Sequence, residues 1–282
     1  SGRLSSSGKL NMQQLPRDNP TVKGCIKASE GHKIVAMDLT TAEVYVAAVL
    51  AKDEALKRVF RSGGNFHSTI AKQVFNLPCS VEEVDTLYKE RRQQAKAVTF
   101  GIMYGAGAQK ISWQVSKDSG KEFTVNEASR VIDNYFHSFK NLKKWLEIQE
   151  SYIKLNGFIY SIFGRKRRLP NAQSKNKGIS SHEVRSGINF LVQSAASDIN
   201  LMGAIDMQKY INENSMKARI FALVHDSILA EVPEDEIEHY STKLKQCVQK
   251  ERGCSIDGAP VGCDFEVGED YSMGKWENYY EK

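Results

Sequence analysis

The chain has 282 residues, 41% of them hydrophobic and 26% charged. This excludes a disordered or low-complexity protein and is enough to bury one large core or two packed ones. No run of 18 apolar residues occurs, so no membrane-spanning helix and no membrane partner is predicted, and the opening SGRLSSSGKL lacks the apolar stretch of a secretory signal. Lys and Arg number 39 against 34 Asp and Glu, a net charge of +5. The base is clustered at Arg91-Arg92, Lys96 and Gly164–Arg168, which suits a phosphate-binding surface or a solvated basic face. Five cysteines, Cys25, Cys79, Cys247, Cys254 and Cys263, are scattered with no CxxC, which argues against a zinc site or disulfide framework and for a reducing cytoplasm.

The elements follow in chain order. Residues 1–31 are loop-rich, with Ser, Gly, Asn and two prolines. Lys33–Leu39 is a short apolar run with an acid near its end, predicted as a buried strand. Helical apolar spacing runs from Ala42 to Phe60. Ser80-Val-Glu-Glu83, after Pro78, is a capping box opening a helix predicted to reach Tyr104, where Gly105-Ala-Gly107 stops it. Thr124-Val-Asn-Glu127 is a second capping box, opening a helical stretch through Trp145 and Tyr152. Gly157 to Pro170 reads as a strand and basic turn, and Ser181 to Tyr210 as a helix. Lys217–Val224 and Ile228–Val232 read as strands flanking His225-Asp226-Ser227, a hairpin. Pro233 begins another helix. Val261, Cys263, Phe265 and Val267 alternate as a last strand. A few mostly antiparallel strands with long helices between them make an α+β fold.

Three constellations carry chemistry. Asp38 ends one apolar strand and Asp226 lies at the tip of a hairpin. Acids at buried strand ends need compensating cations, and two such acids suit a pair of divalent metals for phosphoryl transfer; either alone is equally a surface turn residue. Arg92, Lys96, Phe100 and Tyr104 recur every four residues, hence on one helix face. Two cations followed by two rings suit a nucleoside triphosphate, although an amphipathic helix with core aromatics has the same spacing. Gly101 and Gly105 tilt against that second reading, because glycine weakens a packing helix. Arg185, Asn189 and Gln193 form a polar stripe beside Phe190, Leu191 and Val192. Such a row can grip the minor groove without reading sequence, or can be helix-surface polarity.

Taken together, these residues resemble DNA polymerase family A. Ile34-Val-Ala-Met-Asp38-Leu-Thr-Thr-Ala-Glu43 is similar to the family's motif A. Arg92-Gln-Gln-Ala-Lys96-Ala-Val-Thr-Phe100-Gly-Ile-Met-Tyr104-Gly105 is similar to motif B, the nucleotide-binding helix of the fingers, and Val224-His225-Asp226 to motif C. Ser1–Ser6 and Leu10–Pro16 resemble the segment leading into the palm. Phe66-His67-Ser-Thr resembles the fingers histidine, and Gly164–Pro170 with Arg185, Asn189 and Gln193 resembles later palm-side motifs. The resemblance covers essentially the whole chain in the family's order.

The resemblance implies a right-hand polymerase: an antiparallel palm sheet with helices over residues 1–51 and 183–282, and mostly helical fingers over 52–182. The family's thumb has no counterpart in this chain, and a thumb- or exonuclease-bearing segment or polypeptide upstream is the expected partner. The implied activity is DNA-directed synthesis on a primer–template from dNTPs, with two Mg²⁺ (Mn²⁺ able to substitute) held by Asp38, the Leu39 backbone carbonyl and Asp226. Arg92, Lys96 and His67 are expected on the phosphates, Phe100 on the base or sugar, and Tyr104 where the templating base enters. Glu43 is expected against the sugar 2′ position. Arg3, Arg165, Arg167, Arg168, Arg185, Asn189, Gln193 and His225 are expected on DNA.

Two departures stand out. Motif C usually reads His-Asp-Glu, and here Ser227 follows Asp226. A hydroxyl is a poor ligand for a hard cation, so position 227 is expected to be dispensable and to accept Glu. Motif A carries Thr40-Thr-Ala before Glu43 and Val44-Tyr45 after it, a phage-like pattern. A single-subunit RNA polymerase shares the two acids and the fingers helix, but Glu43 favours deoxynucleotides. Reverse transcriptase lacks this helix. A non-catalytic DNA-binding subunit is the reading from another class, against which Asp38, Asp226, Arg92 and Lys96 stand intact.

Overall fold

The computed structural model describes residues 2–7, 11–15 and 20–275. Ser1, Leu10 and Pro16, which belong to the motifs above, lie outside them. A 3-10 turn at Met12–Gln14 and the one-turn helix α1 (Pro20–Lys23) precede β1 (His32–Thr40). Nine helices or strands of the middle region follow: α2 (Ala42–Leu50), α3 (Glu54–Arg61), α4 (Phe66–Phe75), α5 (Val84–Leu87), α6 (Lys89–Met103), α7 (Ala108–Ser119), α8 (Val125–Ser138), α9 (Lys140–Asn156) and β2 (Phe158–Tyr160). Next come β3 (Lys166–Arg168), α10 (Lys177–Glu213), β4 (Arg219–Val224), β5 (Ser227–Pro233), α11 (Ile237–Gln249), β6 (Gly262–Gly268) and β7 (Gly274–Lys275). Among the described residues no helix is long and apolar enough to cross a membrane.

Compactness divides the chain into one unit of Ser1–Ala42, Ala196–Gly253 and Pro260–Lys282, and another of Glu43–Ala195 and Cys254–Ala259. The divisions thus fall after Ala42 and Ala195, whereas the boundaries at 51 and 182 follow motifs rather than compactness.

The first unit is built on an antiparallel sheet of order β4-β5-β1-β6-β7. Its central strand is β1, whose Ile34, Val35, Ala36 and Met37 are all buried, as a strand with neighbours on both edges and cover on its faces must be. On β5, Ile228, Leu229 and Ala230 are likewise buried. Helix α11 packs on β1 and β5 through its buried Ile237, Tyr240, Leu244 and Val248. The C-terminal half of α10 lies so close to α11 that a Cβ at Gly203 would meet Val248 Cγ2 at 2.5 Å.

The second unit is helical apart from the ribbon β2–β3. Three long helices expected from the sequence are each broken. The 42–60 stretch divides at Lys52, in left-handed conformation (φ 49°), because the buried Asp53 caps α3 through Leu56 N–H. The 80–104 stretch divides at Tyr88 (φ −132°, ψ 37°). There the Tyr88 N–H still bonds Val84 O and its carbonyl still accepts from Arg92, so the kink loses no hydrogen bond at that residue. The third breaks at Phe139, fully buried and edge-on to Tyr135 at 4.9 Å. Tertiary burial overrides helix continuity at this position. Both capping boxes form, with Ser80 and Glu83 exchanging hydrogen bonds and Thr124 and Glu127 doing the same. Residues 254–259 return to this unit through the buried Tyr45 hydroxyl, which donates to Ala259 O (2.8 Å) and accepts from Ile256 N (2.7 Å).

Asp53 joins two helix starts. One carboxylate oxygen accepts from Leu56 N at 3.0 Å and the other from Leu142 N at 2.9 Å, with the side chain buried. Asp53→Ala orphans both N–H groups and is expected to lower stability by about 2–4 kcal/mol, with Asp53→Asn losing less. Urea unfolding measures both, and an alanine variant within 0.5 kcal/mol (about the spread of a neutral surface change) excludes this role.

Candidate active site

The first unit brings Asp38 and Asp226 to one place. Asp38 is the seventh residue of β1, opposite Ser227 in the β1–β5 ladder. Asp226 sits in the two-residue turn between β4 and β5, and its carbonyl accepts from Leu39 N–H at 3.3 Å. Both acids and Leu39 line a cavity of about 560 Å³ that His225, Ser227 and Glu266 also border. The Ser227 hydroxyl donates to Asp38 Oδ1. Arg3 Nη2 reaches both Asp226 oxygens, at 3.2 and 3.1 Å. His225 is held by its Nε2 against Gln13 O (3.1 Å), and Gln13 Nε2 donates in turn to Leu223 O (3.4 Å).

The second unit gathers the other set. On α6, Gln94, Ala95, Val98, Thr99, Ile102 and Met103 face inward. Arg92, Lys96, Phe100 and the capping Tyr104 occupy the face left open, with Tyr104 39% exposed. The stripe is therefore not the buried side of an amphipathic helix. The glycine argument needs correction, however. A Cβ at Gly101 would stand 2.7 Å from Ile111 Cγ1, so this glycine serves close packing of α6 on α7. Gly105 has φ +64° at the helix end, and a Cβ there would meet Arg185 Cγ at 2.6 Å.

His67 lies on α4, its ring 5.6 Å from Phe100, at the end of an aromatic series that runs through Phe66, Phe60 and Tyr45. Burial, then the charges of Lys96 and Arg92, push its pKa down to about 4. Arg92 Nε pairs with Asp85 Oδ1 at 3.3 Å. Glu43 is buried on α2.

A sequence profile of DNA polymerase family A matches residues 1–273. The chain belongs to DNA polymerase family A. It is 46% identical, over 303 aligned positions, to the DNA polymerase of Escherichia phage T5, covering 99% of this chain and 35% of that protein. It is 30% identical to the thermostable DNA polymerase I of Thermus aquaticus (97% and 31% covered) and 31% identical to DNA polymerase I of Bacillus subtilis (95% and 29%). The chain thus spans about a third of the length of these relatives. Among solved structures, the POL domain of Pol1 from M. smegmatis, in complex with DNA primer-template and dNTP, superposes with a TM-score of 0.80 at 23% identity, over 93% of this chain and 44% of that one. The α+β right-hand polymerase fold is therefore the fold of this chain.

The remaining family-motif residues separate by surroundings. On α10, Arg185 is exposed and Asn189 and Gln193 are half-buried, while Val184, Phe190, Leu191 and Val192 are buried. On the ribbon, Arg165 and Arg168 are exposed. Arg167 turns inward, donating to Ser186 Oγ at 2.6 Å and lying 5.7 Å over the Phe190 ring, so its guanidinium braces the ribbon on α10. Two features escaped the sequence reading: the Ser227–Asp38 hydrogen bond, and the acids Asp264 and Glu266 on β6. The signal for the acids was present, since they alternate with Cys263, Phe265 and Val267 and so lie on the opposite face.

His67 gives a pH signature. Its folded pKa of about 4 lies below the ordinary 6.5, so between these values the unfolded chain binds more protons and stability rises with pH. Acidification from about pH 6.5 to 4 is expected to destabilise the protein, and His67→Gln to flatten that limb. Denaturant midpoints measured across this range test it; parallel pH curves for the two proteins contradict it.

Proposed function

We propose that the chain carries out template-directed DNA synthesis, transferring nucleotides from dNTPs to a primer 3′-hydroxyl with two divalent metals. The single observation supporting this most is the convergence of Asp38, Leu39 and Asp226 on one cavity of the first unit. Two carboxylates and a main-chain carbonyl are hard oxygen donors. Mg²⁺ is commonly held by one or two carboxylates together with substrate phosphates, which fits a site where, among the described residues, no three His, Cys, Asp or Glu side chains could hold a metal unaided. Asp38, Asp226 and the Leu39 carbonyl would hold the ions; when bound, they activate the 3′-hydroxyl and neutralise the leaving pyrophosphate.

The chain's own residues have distinct tasks. Arg92 and Lys96 hold the triphosphate by charge-assisted bonds. His67, neutral above about pH 4, offers a ring N–H beside them. Phe100 stacks on the incoming nucleotide and Tyr104 occupies the entry of the templating base. Glu43, fixed by burial, crowds the sugar 2′ position. Arg3, Arg185, Asn189, Gln193 and His225 contact primer and template, with Arg165 and Arg168 on phosphates. Arg167 supports that surface from behind rather than touching DNA.

Asp38→Asn and Asp226→Asn are each expected to abolish nucleotide addition while primer–template binding, carried mainly by cations, stays near wild type. Primer extension with Mg²⁺, alongside a filter-binding assay, reads both; a variant retaining a tenth of the wild-type rate sinks the assignment. Glu43→Ala is expected to lower discrimination against ribonucleotides by orders of magnitude with a smaller loss of dNTP rate. Single-nucleotide incorporation measures the ratio, and unchanged selectivity places the sugar gate elsewhere.

A further inference from the structure

We propose that Ser227 is a positioning residue for Asp38, matched to Asp264, the carboxylate that flanks Asp38 from the other side. This rests on the reading of Asp38 as a metal-holding acid. Residues directly opposite in an antiparallel ladder point to the same face, with Cβ atoms about 4.5–5.5 Å apart. Because β1 is central, Asp38 has two such partners: Ser227 on β5 and Asp264 on β6. All three therefore form one row across the sheet. Asp38 and Asp264 are both exposed acids, and like charges directly opposite are unfavourable.

Ser227 answers that imbalance. Its hydroxyl donates to Asp38 Oδ1, a charge-assisted bond that ties the carboxylate to the β5 side of the row. The family pattern has Glu at this position. A Glu here would remove the donor and place Asp38 between two carboxylates on adjacent strands. The serine is thus the residue that position 227 requires when position 264 is acidic, and the expectation that it is dispensable and replaceable by Glu is revised.

The test uses Ser227→Ala, Ser227→Thr, Ser227→Glu and Ser227→Glu/Asp264→Asn in the full chain. Mn²⁺ affinity is read by electron paramagnetic resonance with a dideoxy-terminated primer–template and the next dNTP, so that no turnover is needed. Ser227→Ala is expected to weaken Mn²⁺ binding about 3- to 10-fold, the range of one lost hydrogen bond. The KM for dNTP at saturating metal should stay unchanged, and Ser227→Thr should restore Mn²⁺ affinity. In metal-free buffer Ser227→Glu should lower the melting temperature, and adding Asp264→Asn should recover most of the loss. The melting cycle depends on neither metal nor activity, so it tests the row even if the polymerase reading fails, whereas a wild-type chain unable to extend a primer overturns that reading alone. Equal Mn²⁺ affinity in Ser227→Ala and wild type overturns the positioning role. Failure of Asp264→Asn to relieve Ser227→Glu overturns the pairing.

Discussion

The pairing of β1 with β5 and β6 is the constraint on which the first unit's chemistry depends. A strand paired on both edges has its register fixed twice, from Ile34–Gly268 to Thr40–Gly262 on one side and from His32–Pro233 to Asp38–Ser227 on the other. A slip of one residue would send Asp38 to the opposite face and expose the apolar set that now packs beneath α11. The hydrophobic pattern that buries Val35 and Met37 therefore also sets the direction of the Asp38 carboxylate. Asp226 is placed by the same ladder, since its turn follows directly from the Val224–Ser227 pair.

The second unit meets a different demand, which is to hold cations close together without a nearby surplus of acid. Arg92 and Lys96 share a helix face one turn apart, and His67 stands beside them in a mostly apolar setting. The desolvated imidazole stays neutral there, which removes a third like charge from the cluster. The open face of α6 exists because its other face is fully committed to packing, with Gly101 admitting Ile111 at a distance no side chain would allow. Close packing on one side and an uncovered stripe of charge and rings on the other are two consequences of one helix orientation.

Most of this was legible in the sequence because its signals are local. The apolar run Lys33–Leu39, the hairpin around Asp226 and both capping boxes depend on neighbours within a few residues, and each formed. The stripe Arg92–Tyr104 was legible because α6 keeps its period across those residues. What was not legible depends on pairing at a distance. The breaks at Tyr88 and Phe139 follow from burial against other helices. The meaning of Gly101 follows from Ile111 on the next helix, and that of Arg167 from Ser186 and Phe190. Ser227 read as a lost carboxylate, because position 227 and position 38 are neighbours only through the ladder. Asp264 and Glu266 were passed over because attention fell on the apolar half of their alternation.

Backbone strain marks the places where these constraints meet. Among the described residues, five other than glycine have positive φ, and two of them flank the acids: Thr41 (φ 50°), three residues after Asp38, and His225 (φ 55°), directly before Asp226. A β-branched residue in this region is disfavoured by its own side chain, and such conformations persist only where the surroundings over-determine them. At His225 the surroundings are visible. The ring is anchored to Gln13 O, while Gln13 in turn reaches Leu223 O, so the strained turn is clasped from the side. At Thr41 the chain must leave β1 and enter α2 within one residue, carrying Glu43 into a buried first turn. Relaxing either torsion would redirect an acid rather than merely a loop. Strain of about 1–3 kcal/mol per site is therefore stored where a small change of direction would displace the oxygens that the reaction needs.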